Sequence, residues 1–218
     1  MHKRHALLAA LAALSFLGNG TLHAQSSYVG LGLPGLISLG YAYPLSSSIG
    51  LRGEYAGGLS VNKDGNQDGV NVTGAFKASR LGAFADWFPL GGSFRLVGGL
   101  TFNDIRADFN AVGSGNASIN GNTVNMTGET YNVRLKFPDT TAYLGIGYGH
   151  QKNAAKGLGF YADLGLMVGS FSADSSTSLV TNGKASQADV DAQTQKMRDA
   201  LGGLSALPSA SLGLTYRY

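Results

Sequence analysis

Four histidines, thirteen carboxylates and no cysteine bound the chemistry open to this 218-residue chain. Without cysteine there is no thiolate nucleophile, no sulfur-ligated metal and no disulfide framework. Acyl transfer of the Ser-His-Asp kind needs a histidine held between a hydroxyl and a carboxylate. His2, His5 and His23 fall in the first 24 residues, and His150 lies in a polar turn with no such spacing around it. Asn62 to Gly69, N-K-D-G-N-Q-D-G, has a faint calcium-loop flavour. It lacks the bidentate Glu and the full spacing of an EF-hand, so it reads as a solvated turn. No catalytic, cofactor-binding or metal-binding set emerges, and the chain reads as non-enzymatic.

The charged residues that do form a pattern are Arg52, Glu54, Arg80, Asp86, Arg95, Asp163 and Arg217, all within alternating segments. Period-two alternation places residues i and i+2 on one face of a strand. These charges share faces with Gly and Ser, while the opposite faces are apolar. On the second, third, fifth, sixth and seventh strands those apolar faces are Ile37, Leu39, Tyr41 and Tyr43; Ile49, Leu51, Gly53 and Tyr55; Phe94, Leu96, Leu100 and Phe102; Leu144, Ile146 and Tyr148; and Phe160, Ala162, Leu164, Leu166 and Val168. The final segment, S-A-S-L-G-L-T-Y-R-Y, alternates the same way and ends on an aromatic.

An apolar face on every strand needs either a core or lipid to cover it. The chain opens with Lys3 and Arg4, then an apolar run from Ala6 to Leu17, and reaches Leu22-His23-Ala24 before Gln25. This is the layout of an export signal over 1–24, cleaved after Ala24, and the run is too short to cross a bilayer as a helix. Loss of Lys3 and Arg4 takes the formal charge from +3 to +1. The basic balance therefore implies no nucleic-acid partner. With 33 Gly and 13% charged residues, the remainder suits closely packed strands.

Short and long connections alternate. Pro44 to Ser48, Pro89 to Ser93 and His150 to Gly157 are short; Asn62 to Gly69, Asp108 to Pro138 and Ala173 to Leu207 are long and polar. Up-and-down outer-membrane barrels have short periplasmic turns and longer outside loops. Pro34-Gly35 suits the centre of a type II turn and splits residues 25–44 into two strands rather than one. The expected fold is all-β: an eight-stranded antiparallel up-and-down transmembrane β-barrel over 25–218, with strands near 26–33, 36–44, 49–61, 70–88, 94–107, 139–150, 158–172 and 208–218. Tyr41, Tyr43, Trp87, Phe88, Phe94, Tyr148, Phe160, Tyr216 and Tyr218 would form a periplasmic aromatic girdle. An eight-stranded barrel is filled by its own side chains, so the seven inner charges are expected to pair as a network that plugs the lumen.

Above the membrane, Asn120-Gly121 signals a hairpin, and the fifth and sixth strands are expected to project as a mobile ribbon. In the last loop Ser186 can cap a short helix, with Asp189 three residues on and Gly202 as its stop. Its stripe of Val190, Thr194, Met197 and Leu201 would pack on the barrel mouth.

The hairpin D-W-F-P-L-G-G-S-F-R, Asp86 to Arg95, together with the terminal G-L-T-Y-R-Y, resembles a group of small proteobacterial outer-membrane barrel proteins distantly similar to the OmpA membrane domain and to OmpW. The resemblance implies an outer-membrane location in a Gram-negative bacterium and no activity. Its partners would be outer-membrane lipids, the barrel assembly machinery and an unidentified extracellular partner. Leu212, Leu214, Tyr216 and Tyr218 would be the assembly signal, departing from the usual terminal Phe. The expected role is structural or surface-interacting; the alternative is a narrow transport barrel for small or apolar solutes.

Overall fold

The computed structural model describes residues 25–67, 70–150, 156–202 and 205–218. The export segment 1–24, with its cleavage site, lies outside them. Twelve strands are described: β1 (Ser26–Leu33), β2 (Ile37–Pro44), β3 (Ile49–Gln67), β4 (Val70–Trp87), β5 (Phe94–Gly113), β6 (Asn116–Ile119), β7 (Asn122–Asn125), β8 (Thr130–Lys136), β9 (Thr140–Tyr148), β10 (Gly157–Val168), β11 (Ser172–Thr177) and β12 (Ala206–Arg217). Two helices join them, α1 (Ser178–Thr181) and α2 (Gln187–Gly202).

Eight strands pair in a closed antiparallel ring, β1-β2-β3-β4-β5-β9-β10-β12, sealed where β12 returns to β1 from Ser26↔Arg217 to Leu33↔Ala210. Closure satisfies the backbone donors and acceptors that an open sheet would leave at its edges. Residues 25–44 form two strands, with Pro34 and Gly35 in the turn between them and Gly35 at φ 129°. The count of eight describes the ring and falls short of the chain, because 108–138 and 173–207 are not plain loops. β5 runs on to Gly113; its lower half pairs β9 and its upper half pairs β8, which in turn carries β11. β3 likewise continues through Asn62 to Gln67, so that segment is strand up to its tip. A bulge between Ala56 and Leu59, with Gly58 at φ 90°, bends β3 where the ring gives way to this upper sheet.

On the ring's outer side the apolar residues stand exposed. From Phe94 to Phe102, nine residues of β5 present Phe94, Leu96, Leu100 and Phe102 outward, and the next outward residue is Asp104. Leu81 and Trp87 on β4, Leu144 and Ile146 on β9, Leu164 and Leu166 on β10, and Leu212 and Leu214 on β12 continue the band. Nine residues is the height a tilted strand needs to cross a hydrocarbon core. Phe88 departs from the expected girdle: it is buried, because the turn after Trp87 folds its ring inward beneath Gly50.

Inside the ring, aromatic rings lie over glycines of the neighbouring strand. Tyr28 is directly opposite Gly40, Phe84 opposite Gly99 and Tyr161 opposite Gly213. A Cβ on Gly40 would fall 2.1 Å from the Tyr28 ring, and one on Gly99 would fall 2.7 Å from the Phe84 ring. The glycines leave the floor on which these rings rest. Phe84 also packs into an apolar cluster with Val97, Ile105, Phe137, Tyr143 and Met167.

The upper sheet has its own core, built from Ile119, Val124, Met126, Tyr131, Val133, Leu135, Leu179 and Val190. The expected free ribbon is thus packed. The Asn120-Gly121 turn has positive φ at both residues, 53° and 89°, as a tight hairpin requires. Ser186 caps α2, accepting from the Asp189 amide at 3.1 Å and donating to its carboxylate at 2.7 Å. Val190 and Thr194 are buried and Met197 packs beside them against the upper core, so the helix sits on this outer sub-structure, not on the ring's rim. The Leu201 side chain lies outside the described residues.

Buried Glu129 ties the last loop down: Ser178 donates to one oxygen, Asn182 Nδ2 lies 2.9 and 3.1 Å from the two, and Lys184 Nζ is at 2.9 Å. The Ser178 hydrogen bond first, then those of Lys184 and Asn182, hold its carboxyl down at about 2 from an ordinary 4.5.

Two outcomes follow from this packing. Gly40→Val, which drives a side chain into Tyr28, should destabilise the folded chain by roughly 1–3 kcal/mol, as overpacking does. Gly53→Val, which meets nothing within 4 Å, should leave stability unchanged in urea titrations followed by gel mobility. For Glu129 the folded value lies below the unfolded one, so its contribution is whole above pH 4.5 and is lost as pH falls through about 2. Amide exchange of α1 and β8 should therefore accelerate across that window, and Glu129→Gln should remove the pH dependence.

Candidate functional site

Six of the seven charges read from the sequence meet in one layer of the ring's interior, all nearly inaccessible to solvent. Period two puts Arg52 and Glu54 on the inner face of β3, Arg80 and Asp86 on that of β4, Arg95 on β5 and Asp163 on β10. Arg52 grips Asp86 through two hydrogen bonds, Nε at 3.1 Å and Nη2 at 3.3 Å. Its Nη1 reaches Asp163 at 3.2 Å and Glu54 at 3.5 Å. Arg95 donates to Asp163 at 2.6 Å and to the Gly149 carbonyl at 2.7 Å, and its Nε stands 3.4 Å from Asp86 as an ion pair without a hydrogen bond. Arg80 closes on Glu54 at 2.5 Å, and Tyr28 donates to the other Glu54 oxygen at 3.1 Å.

Charges therefore alternate along Arg80–Glu54–Arg52–Asp86/Asp163–Arg95. In the ring order β3 and β10 are four strands apart either way round, so the Arg52–Asp163 pair joins opposite walls. The Arg52 guanidinium also lies 4.8 Å from the Phe84 ring centre, a cation–π contact in the same layer. Gly147 makes room for the Arg95–Asp163 pair: a Cβ there would stand 2.3 Å from Asp163 Oδ1 and 2.8 Å from the Arg95 Cζ.

Arg217 is buried on β12 but in another layer. It faces Ser26 and Gly157 in its two ladders, at the base of the ring. His150, expected in an open turn, is also buried here: it has φ 62° and its ring centre is 4.6 Å from Tyr28 and 5.0 Å from Tyr161. Its Nδ1 is 3.4 Å from Ser26 Oγ, while Nε2 has no hydrogen-bond partner among the described residues. A Ser–His contact without a carboxylate on the second nitrogen lacks the group that orients and charges the base. Nothing in the local pattern signals this burial, because the segment after Gly149 is polar.

The inner aromatics Tyr28, Phe84, Tyr143 and Tyr161 were also missed as functional side chains. Their signal was present: each stands in the inward register, where most of the other residues are small, polar or charged. On the outer side, Gly53, Ala83, Ala85 and Gly98 thin the apolar band into a groove of about 740 Å³ between Tyr43 and Leu100. Leu212, Leu214, Tyr216 and Tyr218 face outward along the sealing strand, with the Tyr218 hydroxyl bonded to Ser27.

Removing one member of a buried ion pair strands its partner at a cost of roughly 3–5 kcal/mol. Arg95→Ala should lower stability by that order in denaturant titrations, since Asp163 and the Gly149 carbonyl lose a donor and Asp86 loses a charge partner. Lys63→Ala, on exposed upper β3, should change almost nothing.

No family model matches the chain and no curated protein matches it. Among solved structures it is similar to CarO of Acinetobacter baumannii, at 18% identity and a TM-score of 0.55 over 88% of this chain and 97% of that one. CarO2 of the same organism matches at 18% identity and a TM-score of 0.59, over 91% and 100%. Ail, the attachment invasion locus protein of Yersinia pestis, in complex with the heparin analogue sucrose octasulfate, matches at 15% identity and a TM-score of 0.41, over 90% and 100%. The CarO structures are outer-membrane β-barrel proteins; at these identities the likeness speaks for the fold alone, and it lends no support to the closer likeness to OmpA or OmpW.

Proposed function

We propose that this chain is a non-enzymatic integral outer-membrane β-barrel, its lumen plugged by its own side chains, with a structural or surface-interacting role carried by the outer sub-structure. The observation behind this reading is the nine-residue apolar band turned outward on a ring whose charges are turned inward. In water such a band would be a far larger exposed apolar patch than soluble monomers carry. In lipid it is the expected outer surface of a barrel. The outward Leu212, Leu214, Tyr216 and Tyr218, on the strand that seals the ring, are the segment we assign to recognition by the assembly machinery.

One observation favours the second reading, a narrow transport barrel. Arg80 keeps two buried N–H groups, Nε and Nη1, without hydrogen-bond partners among the described residues. Donors of this kind call for water or a small polar solute.

The mature protein should fractionate with outer membranes and run at different gel mobilities before and after boiling. In planar bilayers it should conduct rarely or not at all, and Arg52→Ala should raise conductance. Recovery in the soluble fraction at one mobility contradicts the barrel. A steady open channel in the unmodified protein contradicts the plug and favours transport.

A further inference from the structure

Just above the apolar band, three cations stand abreast on neighbouring strands. Lys77 of β4 is directly opposite Arg106 of β5, which is directly opposite Lys136 of β8. Adjacent strands lie about 4.8 Å apart, so the row spans roughly 10 Å. All three side chains face outward and are 40–47% exposed. Like charges directly opposite one another disfavour strand pairing.

The carboxylates that offset this lie outside the row. Asp104, two residues lower, holds Lys77 and Arg106 at 2.7 Å each. Asp108, two residues higher, holds Arg106 at 3.7 Å and Arg134 at 2.5 Å, and Asp139 holds Lys136 at 2.8 Å. An ammonium has three donors and a guanidinium five, so several remain directed to solvent. The placement relative to the band is what selects a ligand. The outward residues of β5 pass from Leu100 and Phe102 to Asp104 and then Arg106, so the row stands where a hydrocarbon core gives way to headgroups. Long basic side chains at that height can reach down to lipid phosphates.

We propose that Lys77, Arg106 and Lys136 form a binding site for the phosphate groups of outer-leaflet lipids. The inference rests on the membrane-spanning reading above. Phosphate oxygens bridge the three cations and relieve the repulsion within the row, and the flanking aspartates hold the side chains extended until lipid arrives. The site is one-sided: it covers β4, β5 and β8, so a bound lipid would lie against one flank of the barrel.

The test uses full-length mature protein inserted into phosphatidylcholine vesicles doped with lipid A or with dephosphorylated lipid A, then extracted gently and weighed with its retained lipid by native mass spectrometry. Each basic residue near a membrane surface contributes about 1 kcal/mol, so K136Q should weaken retention of phosphorylated lipid about fivefold and K77Q/R106Q/K136Q about a hundredfold. Dephosphorylated lipid A should be retained weakly and equally by all three proteins. K136Q, at the end of the row, keeps the experiment decisive where the triple variant does not fold. Equal retention of phosphorylated lipid by the unmodified protein and K136Q overturns the proposal alone. Capture of a soluble sulfated oligosaccharide with the same dependence on the row, and no preference for phosphorylated lipid, assigns the row to a glycan and overturns it too. A chain that enters neither vesicle overturns the membrane reading and this site with it.

Discussion

The interior of an eight-stranded ring is wide enough for side chains and for little else, and here it holds three guanidinium groups and three carboxylates in a single layer. Ions in such a space are tolerated only when each meets a partner of opposite charge. Arg52 is the member that cannot be exchanged for another cation. Its planar fork engages Asp86 with two donors while a third crosses to Asp163, a geometry that a lysine's single ammonium does not reproduce. The register of four strands is constrained through it, because a one-residue slip of β3, β4, β5 or β10 would turn its charges into the apolar band.

The same constraint explains the glycines. A tilted ring with a filled interior has no room for a side chain at every inward position, so each large ring is matched with a glycine across the ladder. Tyr28 over Gly40 and Tyr161 over Gly213 follow this rule. Layered this way, the interior passes from His150 and Tyr28 at the base, through the ion layer, to the apolar residues around Ile105 and Met167. Above it the upper sheet and α2 form a second core, fastened at Glu129. The upper sub-structure is thereby folded around a core of its own.

Period two made the ring legible in the sequence: the inward charges, the outward leucines and the split at Pro34-Gly35 all follow from alternation and turn chemistry. It could not show the upper core. Residues 108–138 and 173–207 are polar because most of their side chains face water, yet Tyr131, Val133 and Leu135 alternate as a strand within that polar stretch. Phe88 and His150 escaped for a related reason. Each follows the last outward aromatic of its strand, Trp87 or Tyr148, and the backbone then turns beneath the ring. A local pattern ends at that point, and only tertiary structure decides that the ring goes in.

A double-mutant cycle on Arg52 and Asp163, read as unfolding free energy in lipid vesicles, tests most directly whether opposite walls are joined through the interior. Residues in contact couple, with typical interaction energies of roughly 0.5–3 kcal/mol, whereas independent sites add within about 0.5 kcal/mol. Arg52→Met and Asp163→Leu should each destabilise, and the double variant should be more stable than the sum predicts by at least about 1 kcal/mol. Additive effects would mean that the two side chains do not meet, and an interior crossed by charge pairs would have to be abandoned.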